Sequence, residues 1–334
     1  MINSNTIVNI GVLGVASIAT RNFIPAIIDS PELFKLSGLA SRDLSKATTN
    51  ASLYNCQPFG SYEDLLQDKT IDAVYIPLPN SLHYPFVKKA IENRKHVIVE
   101  KSLGLNLAEV KEMVELAKIN KVVLLENFQF RFHSQLKAIQ QILLDGIIGD
   151  LRSVRVSFGF PPFVDKANIR YDSNLGGGAL LDAGAYALKI APYFLGKEVF
   201  VAQGSMCFDT VKNVDIWGQG VLQQMNGPLC CQFAYGFDHH YQCALELWGS
   251  KGRLTTNRIF TSPIGYKPKV ILEIKDHTEE IVLSDDSHFK NILKYFHSLI
   301  NGSELVQEEY EQNVRQSALI EDFIRISKST NLSI

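Results

Sequence analysis

The chain has 334 residues, of which 46% are hydrophobic and 20% are charged, and its formal net charge is −2. This composition excludes intrinsically disordered and fibrous proteins, and the length predicts about two domains at roughly 150 residues each. Because the charge is nearly balanced and no long run of like charges occurs, we exclude nucleic acid and acidic membrane surfaces as partners and expect a small molecule instead.

Cysteine usage and hydropathy indicate the compartment. The five cysteines form no CxxC pair, and no histidine and cysteine cluster has the spacing of a zinc site. The N-terminus lacks a basic segment followed by an apolar stretch, and nowhere do about 18 apolar residues follow one another. We therefore expect a cytoplasmic, metal-free protein with reduced thiols and no membrane span.

The first 126 residues alternate short apolar, β-rich runs with amphipathic helical stretches. We predict helices that include residues 81–94 and 106–120, and strands near residues 7–13, 34–40, 72–76, 96–99 and 122–126. Such alternation is typical of βαβ units around a parallel sheet. The predicted fold class is α/β, with a doubly wound Rossmann domain over residues 1–127.

The pattern changes after residue 127. We predict helices at 134–145, 178–195 and 304–328, and strands at 151–158, 198–208, 214–224, 229–236, 242–248, 252–257 and 269–275. The strands are separated by turn signals, which indicates a mostly antiparallel sheet. Residues 128–334 are therefore predicted to form an α+β domain, while the last helix can pack on either domain.

The first predicted strand runs into a glycine-containing turn. Gly14, Ala16 and Ala19 occupy the three small-residue positions of G-x-G-x-x-G/A, the dinucleotide fingerprint of Rossmann folds. Alanine is small enough at the second position for the backbone to approach a pyrophosphate, so we expect Gly14, Ala16, Ser17 and Ile18 to bind the cofactor. The alternative is a strand-to-helix turn that binds nothing.

The end of the second predicted strand bears on the choice of cofactor. NAD enzymes place a carboxylate there to hold the ribose 2′-hydroxyl, whereas this chain has Ser41 and Arg42. A hydroxyl and a guanidinium suit a 2′-phosphate, so NADP(H) is favoured over NAD(H). Alternatively, Arg42 is a solvated turn residue and Asp43 holds the ribose.

Two further segments carry groups suited to acid catalysis. Lys101 follows the fourth predicted strand, at the edge where open α/β sheets bind ligands. Asp182 and Tyr186 lie four residues apart on one face of a helix that opens with the glycine run 176–178. The structural alternatives are a solvated Lys101, a helix-start charge at Asp182 and a core aromatic at Tyr186.

Taken together, these motifs resemble the glucose-fructose oxidoreductase and inositol dehydrogenase family, Gfo/Idh/MocA. The resemblance rests on Gly14-x-Ala16-x-x-Ala19, the segment PNSLH at 79–83, KHV at 95–97 running into Glu100-Lys101, and GGGALLD followed by Tyr186. It implies a Rossmann domain followed by a domain whose large open sheet forms a homodimer or homotetramer interface.

Within this family, the second half is similar to the NADPH-dependent nucleotide-sugar 3-ketoreductases. The matching segments are 158–162, 237–254, 257–261 and 266–268, together with Asp172 before the glycine run. This resemblance implies reduction of the C3 carbonyl of a dTDP-linked 3,4-diketo-2,6-dideoxyhexose. Two alternatives stay open: a dehydrogenase of a free sugar, inositol or dihydrodiol, and a non-catalytic sensor of a dinucleotide or sugar.

The resemblance assigns roles residue by residue. It implies a catalytic or substrate-orienting role for Lys101, Asp182 and Tyr186, and substrate binding by these three and by Arg131. The residues it places beside the cofactor are Pro79, Asn80, His83, Glu100 and Lys101.

One position departs from the family, whose usual Glu-Lys-Pro is Glu-Lys-Ser here. A cis bond before a residue other than proline costs about 2.5 to 4 kcal/mol, so we expect a trans bond between Lys101 and Ser102.

Overall fold

The computed structural model describes residues 6–165, 167–303 and 305–332. These residues form two compact units, and each is described by itself. The first contains the described chain up to Phe128 together with Phe289–Ser317, and the second contains Gln129–His288 together with the chain from Ala318 onwards. Residues 128–334 were predicted to form the second domain, with the last helix able to pack on either domain; in the structure Phe289–Ser317 belongs to the first unit.

The first unit is built on a six-stranded parallel sheet. Its strands are β1 (Val8–Leu13), β2 (Phe34–Ala40), β3 (Gln57–Phe59), β4 (Ala73–Ile76), β5 (His96–Glu100) and β6 (Leu124–Asn127), in the order β3-β2-β1-β4-β5-β6. The helices are α1 (Ile24–Ile28), α2 (Leu44–Tyr54), α3 (Tyr62–Gln67), α4 (Asn80–Glu92) and α5 (Leu107–Asn120). All four residues of β4 are buried, as expected for parallel strands that are covered on both faces. The predicted doubly wound sheet is confirmed.

Polar side chains fix where the helices of this unit begin. Asp43, Ser61 and Asn106 each accept a hydrogen bond from the backbone N–H three residues further on, at the starts of α2, α3 and α5. Such caps satisfy an amide that would otherwise lack a partner inside the helix. The start of α5 at Leu107, after its cap Asn106, therefore agrees with the helix predicted over 106–120.

The second unit contains a nine-stranded sheet. Its strands are β7 (Leu151–Gly159), β8 (Val199–Asp209), β9 (Val214–Gln224), β10 (Cys230–Gly236), β11 (Gln242–Gly249), β12 (Gly252–Thr256), β13 (Lys269–Ile274), β14 (His277–Val282) and β15 (Lys328–Leu332), in the order β14-β13-β12-β11-β7-β10-β9-β8-β15. Among the described strands of this second sheet, only the β7–β10 and β8–β15 pairs are parallel. The prediction of a mostly antiparallel sheet is confirmed.

Three short helices and a π-helical turn lie in the second unit. The helices are α6 (Ser134–Leu144), α7 (Ala185–Ile190) and α8 (Pro192–Leu195), and the π-helical turn Leu180–Gly184 leads into α7. The predicted continuous helix over 178–195 is therefore divided into three pieces. Pro192 begins α8 because proline suits the first turn of a helix.

The last two helices are α9 (His288–Ile300) and α10 (Val306–Ile326). The hydroxyl of Tyr310 donates to the carbonyl of Val122, and the Asn313 amide donates to the carbonyl of Leu124. These bonds join the first part of α10 to the strand region of the first unit. No helix in the described part of the chain is long and apolar enough to cross a membrane.

Candidate active site

The order of the six strands creates a ligand-binding edge next to β1. The chain leaves β1 toward β2 and β3 and later returns to place β4 on the other side of β1, which is the switch point where such sheets bind ligands. Gly14 follows β1 with φ +106°, and its N–H donates to the carbonyl of Ala40 at 2.8 Å. A Cβ at Gly14 would lie 3.1 Å from Leu78 Cδ2, so both the positive φ and this close neighbour favour glycine here.

The residues after Gly14 begin a helical segment. The carbonyl of Ala16 accepts hydrogen bonds from the N–H groups of Ala19 at 3.0 Å and of Thr20 at 3.1 Å. Ala19 is fully buried, whereas Ser17 is exposed, and Ala16 and Ile18 are half-buried. The predicted cofactor residues thus lie on one turn at the start of a helical segment, with Ser17 on its exposed side, where amide groups can contact a pyrophosphate.

At the end of β2, the polar side chains have different partners. Ser41 is buried, and its Oγ accepts from the N–H of Asp43, while Asp43 Oδ1 accepts from the N–H of Lys46. Arg42 is exposed beside Tyr62; burial raises the pKa of the Tyr62 phenol, and the charge and hydrogen bond of Arg42 oppose that rise. Asp43 is therefore occupied as a helix cap, whereas the Arg42 guanidinium is accessible to an anionic ligand.

Lys101 begins a tight turn after β5. The Lys101–Ser102 peptide bond is cis, so the expectation of a trans bond was wrong. Protein contacts, rather than a proline ring, hold the backbone of this buried turn. Ser102 O lies 2.7 Å from His83 Nδ1, and the N–H of Leu103 donates to Glu126 Oε1 at 2.9 Å.

The His83 ring lies inside the first unit rather than on a ligand-facing surface. It is fully buried, and its Nε2 lies 2.8 Å from the carbonyl oxygen of Leu78, so backbone carbonyls face both ring nitrogens. Burial lowers the pKa of His83 to about 4; the two carbonyls oppose this shift, and the charge of Lys101 adds to it. The ring therefore connects the segment before Asn80 with the Lys101 turn.

Glu100 precedes Lys101 and is held by two neighbours. Its Oε1 accepts from the Tyr75 hydroxyl at 2.6 Å and from Asn127 Nδ2 at 2.6 Å. Burial raises the pKa of Glu100, while these two hydrogen bonds and the nearby charge of Lys101 oppose the rise. The half-buried Pro79 and Asn80, at the start of α4, lie at the same edge of the sheet.

Tyr186 is the predicted acid of the second unit, and it lies on α7. It is 5% exposed, and the Gln129 amide donates from Nε2 to its hydroxyl at 3.2 Å. Its ring packs against those of Phe130, Phe158 and Phe260. The surrounding aromatic rings hold the phenol in one place, and they account for the core-like sequence around it.

Asp182 lies one helical turn before Tyr186 and forms an ion pair. Its Oδ2 accepts from Arg170 Nε at 2.6 Å, and the charge of Asp182 raises the pKa of the Arg170 guanidinium. Arg170 belongs to the short 3₁₀ turn Ile169–Tyr171. Arg170 was missed from the sequence because it lies outside every predicted helix and strand and belongs to no motif.

Asp215, on β9, lies beneath the glycine run and was also missed. Its Oδ2 accepts from the N–H of Leu180 at 2.7 Å, at the start of the π-helical turn that leads into α7. Burial raises the pKa of Asp215 to about 7, and the hydrogen bond from the N–H of Leu180 and the nearby hydroxyl of Tyr235 oppose the rise. A Cβ at Gly178 would lie 2.3 Å from Asp215 Oδ1, so this carboxyl requires a glycine there.

Arg131 has partners within the second unit. Its Nε donates to the hydroxyl of Tyr193 at 2.8 Å, and its guanidinium lies over the ring of Phe132. Its predicted role in substrate binding stays a prediction. Among the residues the structure describes, no three histidine, cysteine, aspartate or glutamate side chains are grouped as metal ligands would be.

Comparison with known proteins identifies relatives over the whole chain. Residues 8–128 match the sequence profile of the oxidoreductase family with an NAD-binding Rossmann fold, and residues 136–255 match the GFO/IDH/MocA C-terminal domain. The dTDP-3,4-didehydro-2,6-dideoxy-alpha-D-glucose 3-reductase of Saccharopolyspora spinosa is 37% identical over 94% of this chain and 96% of its own. The enzyme of the same name from Streptomyces violaceoruber is 38% identical over 82% of this chain and 80% of its own.

A solved structure agrees with these matches. The crystal structure of KijD10, a 3-ketoreductase from Actinomadura kijaniata in complex with NADP and TDP-benzene, superposes with a TM-score of 0.94. The two chains are 32% identical, and the match covers 98% of this chain and 100% of that one. The chain therefore belongs to the Gfo/Idh/MocA family of NAD(P)-dependent oxidoreductases.

Proposed function

We propose that this protein is an NADPH-dependent reductase of the C3 ketone of a dTDP-linked 3,4-diketo-2,6-dideoxyhexose. The observation that carries the proposal is the buried Tyr186 hydroxyl, one turn from Asp182, in a chain similar along nearly its whole length to 3-ketoreductases. A phenol held in this way can donate a proton to the oxygen of a carbonyl that is being reduced.

The proposed cofactor site lies in the first unit. The glycine turn after β1 and the exposed guanidinium of Arg42 fit a dinucleotide that carries a 2′-phosphate. We assign its binding to Gly14, Ala16, Ser17, Ile18, Ser41, Arg42, Pro79, Asn80, Glu100 and Lys101. When bound, NADPH supplies the hydride for the reduction.

Side chains of the protein then supply the proton and stabilise the developing charge. Tyr186 donates its hydroxyl proton to the substrate oxygen as negative charge develops there, and Lys101 orients that oxygen and stabilises the charge. Asp182 orients the donors around Tyr186. His83 contributes indirectly, because its buried ring supports the turn at Lys101.

Two variants test these roles. Tyr186→Phe removes the proton donor and Lys101→Ala removes the charge, so each should lower kcat by about 10²- to 10⁴-fold. The dissociation constant for NADPH, measured by fluorescence titration, should stay close to that of the unaltered enzyme. Tyr84→Phe removes a hydroxyl that donates to Glu112 and serves as the matched control. Normal turnover in both Tyr186→Phe and Lys101→Ala would contradict the assignment.

The substrate class is tested by thermal unfolding of the NADPH-saturated protein. A ligand at 100 times its dissociation constant stabilises the native state by about 2.7 kcal/mol, which raises the melting temperature by several degrees. We expect a shift with dTDP and smaller shifts with UDP, CDP or GDP. Shifts with free hexoses alone would indicate a dehydrogenase of free sugars or polyols.

Cellular location and assembly complete the proposal. We propose a cytoplasmic enzyme that forms a homodimer or homotetramer through the nine-stranded sheet, as the resemblance implies. Light scattering after size-exclusion chromatography measures the mass directly, and a mass equal to that of one chain would contradict the proposed assembly.

A further inference from the structure

Arg170 is held in the second unit by backbone contacts on both sides. Its N–H donates to Asn168 Oδ1 at 3.1 Å, and its carbonyl accepts from the N–H of Gly178 at 2.9 Å. A Cβ at Gly177 would lie 2.6 Å from that carbonyl oxygen. The 3₁₀ turn that carries Arg170 therefore packs directly against the glycine run, and this packing fixes the backbone position from which the Arg170 side chain extends.

In the part of the chain that the structure describes, only Nε of the Arg170 guanidinium donates a hydrogen bond to another side chain. Nε donates to Asp182 Oδ2 at 2.6 Å, and the guanidinium carbon lies 4.9 Å from the ring centroid of Phe163. Within the described chain, the two terminal nitrogens have no protein acceptor, and 39% of the side chain is exposed. An arginine usually presents those terminal donors as a fork that can bind an oxygen ligand.

The guanidinium lies on the part of the helix that carries the proposed proton donor. Asp182 and Tyr186 are one helical turn apart, so the ion pair holds the guanidinium on the side of the helix that carries the phenol. The electrostatic effect of Tyr186 on Arg170 agrees with this closeness. A vicinal diketone presents two neighbouring oxygens, one of which is the acceptor for the Tyr186 proton.

We propose that Arg170 binds the substrate by donating from its terminal nitrogens to the oxygen on the sugar carbon next to the ketone that is reduced. The inference rests on the proposed function and adds a specificity-determining residue to it. Asp182 holds the guanidinium through Nε and so aims the fork.

Comparing enzyme variants on two substrates separates a role in substrate binding from a role in the fold. The unaltered enzyme, Arg170→Met and Arg170→Lys are assayed with the dTDP-linked 3,4-diketo sugar and with the 3-keto analogue that lacks the C4 oxygen. On the diketo sugar, Arg170→Met should lower kcat/KM by about 10- to 100-fold, the range for a lost hydrogen bond from a charged donor. On the analogue, Arg170→Met should be within about threefold of the unaltered enzyme, since the bond is absent in both.

Arg170→Lys keeps the positive charge but not the two terminal donors. On the diketo sugar, we therefore expect Arg170→Lys to restore less than about a tenth of the kcat/KM that Arg170→Met loses. Equal losses on both substrates would show that Arg170 only supports the fold, and normal kcat/KM in Arg170→Met would also overturn the inference. NADPH affinity and melting temperature show whether the variants are folded. If Arg170→Met does not fold, the same comparison of the two substrates is made with Arg170→Lys. Failure of the unaltered enzyme to reduce either sugar would instead refute the proposed function.

Discussion

Asp215 gives a pH dependence of stability whose sign and size follow from its surroundings. Burial raises its pKa from 3.8 to about 7, whereas in the unfolded chain the carboxyl titrates near its ordinary value. The stabilising contribution of the protonated form is therefore complete below pH 3.8 and is lost as the pH rises through about 7. From the two pKa values, the whole contribution is about 4 kcal/mol, of which about 1.4 kcal/mol is lost between pH 6 and pH 8.

Replacing Asp215 with asparagine keeps the shape of the side chain and removes its titration. The amide oxygen can still accept from the N–H of Leu180, while the amide nitrogen faces the hydroxyl of Tyr235. We expect the melting temperature of the unaltered protein to fall by roughly 3 to 6 °C more than that of Asp215→Asn between pH 6 and pH 8. Differential scanning fluorimetry at both pH values measures this difference.

Comparing the two proteins removes the contributions of all other groups that titrate in the same range. Asp150→Asn, which alters a carboxylate that is 80% exposed, should keep the pH dependence of the unaltered protein. If Asp215→Asn shows the same pH dependence as the unaltered protein, the carboxyl does not change its protonation near pH 7 and the linkage argument is wrong.

Two more predictions concern the glycine run and the cofactor. Gly178→Ala introduces a Cβ 2.3 Å from Asp215 Oδ1 at φ +111°, so it should lower the free energy of unfolding in urea by about 2 to 4 kcal/mol. Gly146→Ala, with φ +67° and nothing within 4 Å, should cost about 1 kcal/mol, and equal losses would contradict the clash. Arg42→Met should weaken NADPH binding by about 10- to 100-fold in fluorescence titrations and leave NADH binding nearly unchanged; equal weakening of both would refute contact with the 2′-phosphate.

The elements that the sequence predicts best are those with a clear hydrophobic pattern. The predicted limits of β2 and β9 are the observed ones, Phe34–Ala40 and Val214–Gln224. The strands that were missed lack this pattern. β3 has three residues and includes Pro58, while β14 has four exposed residues in succession and lies at the edge of the sheet. Such strands are held by backbone pairing rather than by burial, so hydropathy does not indicate them.

The residues of the candidate site also differ in how far the local sequence indicates them. Lys101, Asp182 and Tyr186 could be proposed from the sequence because each belongs to a local motif or a regular helical spacing. Asp215 could not, since its hydrogen bond joins it to Leu180, 35 residues away in the chain. Arg170 belongs to no motif, and only its ion pair with Asp182 in the folded chain draws attention to it. The cis bond at Lys101 was missed for a related reason, because the contacts that surround it come from other elements.

The glycine run connects these two parts of the site. The sequence indicated only that the run opens a helix, but its members are required by different neighbours. Gly177 makes room for the carbonyl of Arg170, and Gly178 makes room for the carboxyl of Asp215, which also accepts the N–H of Leu180. A side chain at either glycine would displace one of these groups. The run therefore fixes the turn that carries Arg170, and the start of the helix that carries Tyr186, at the same point of the second unit, so a motif without functional side chains determines where the guanidinium and the phenol lie.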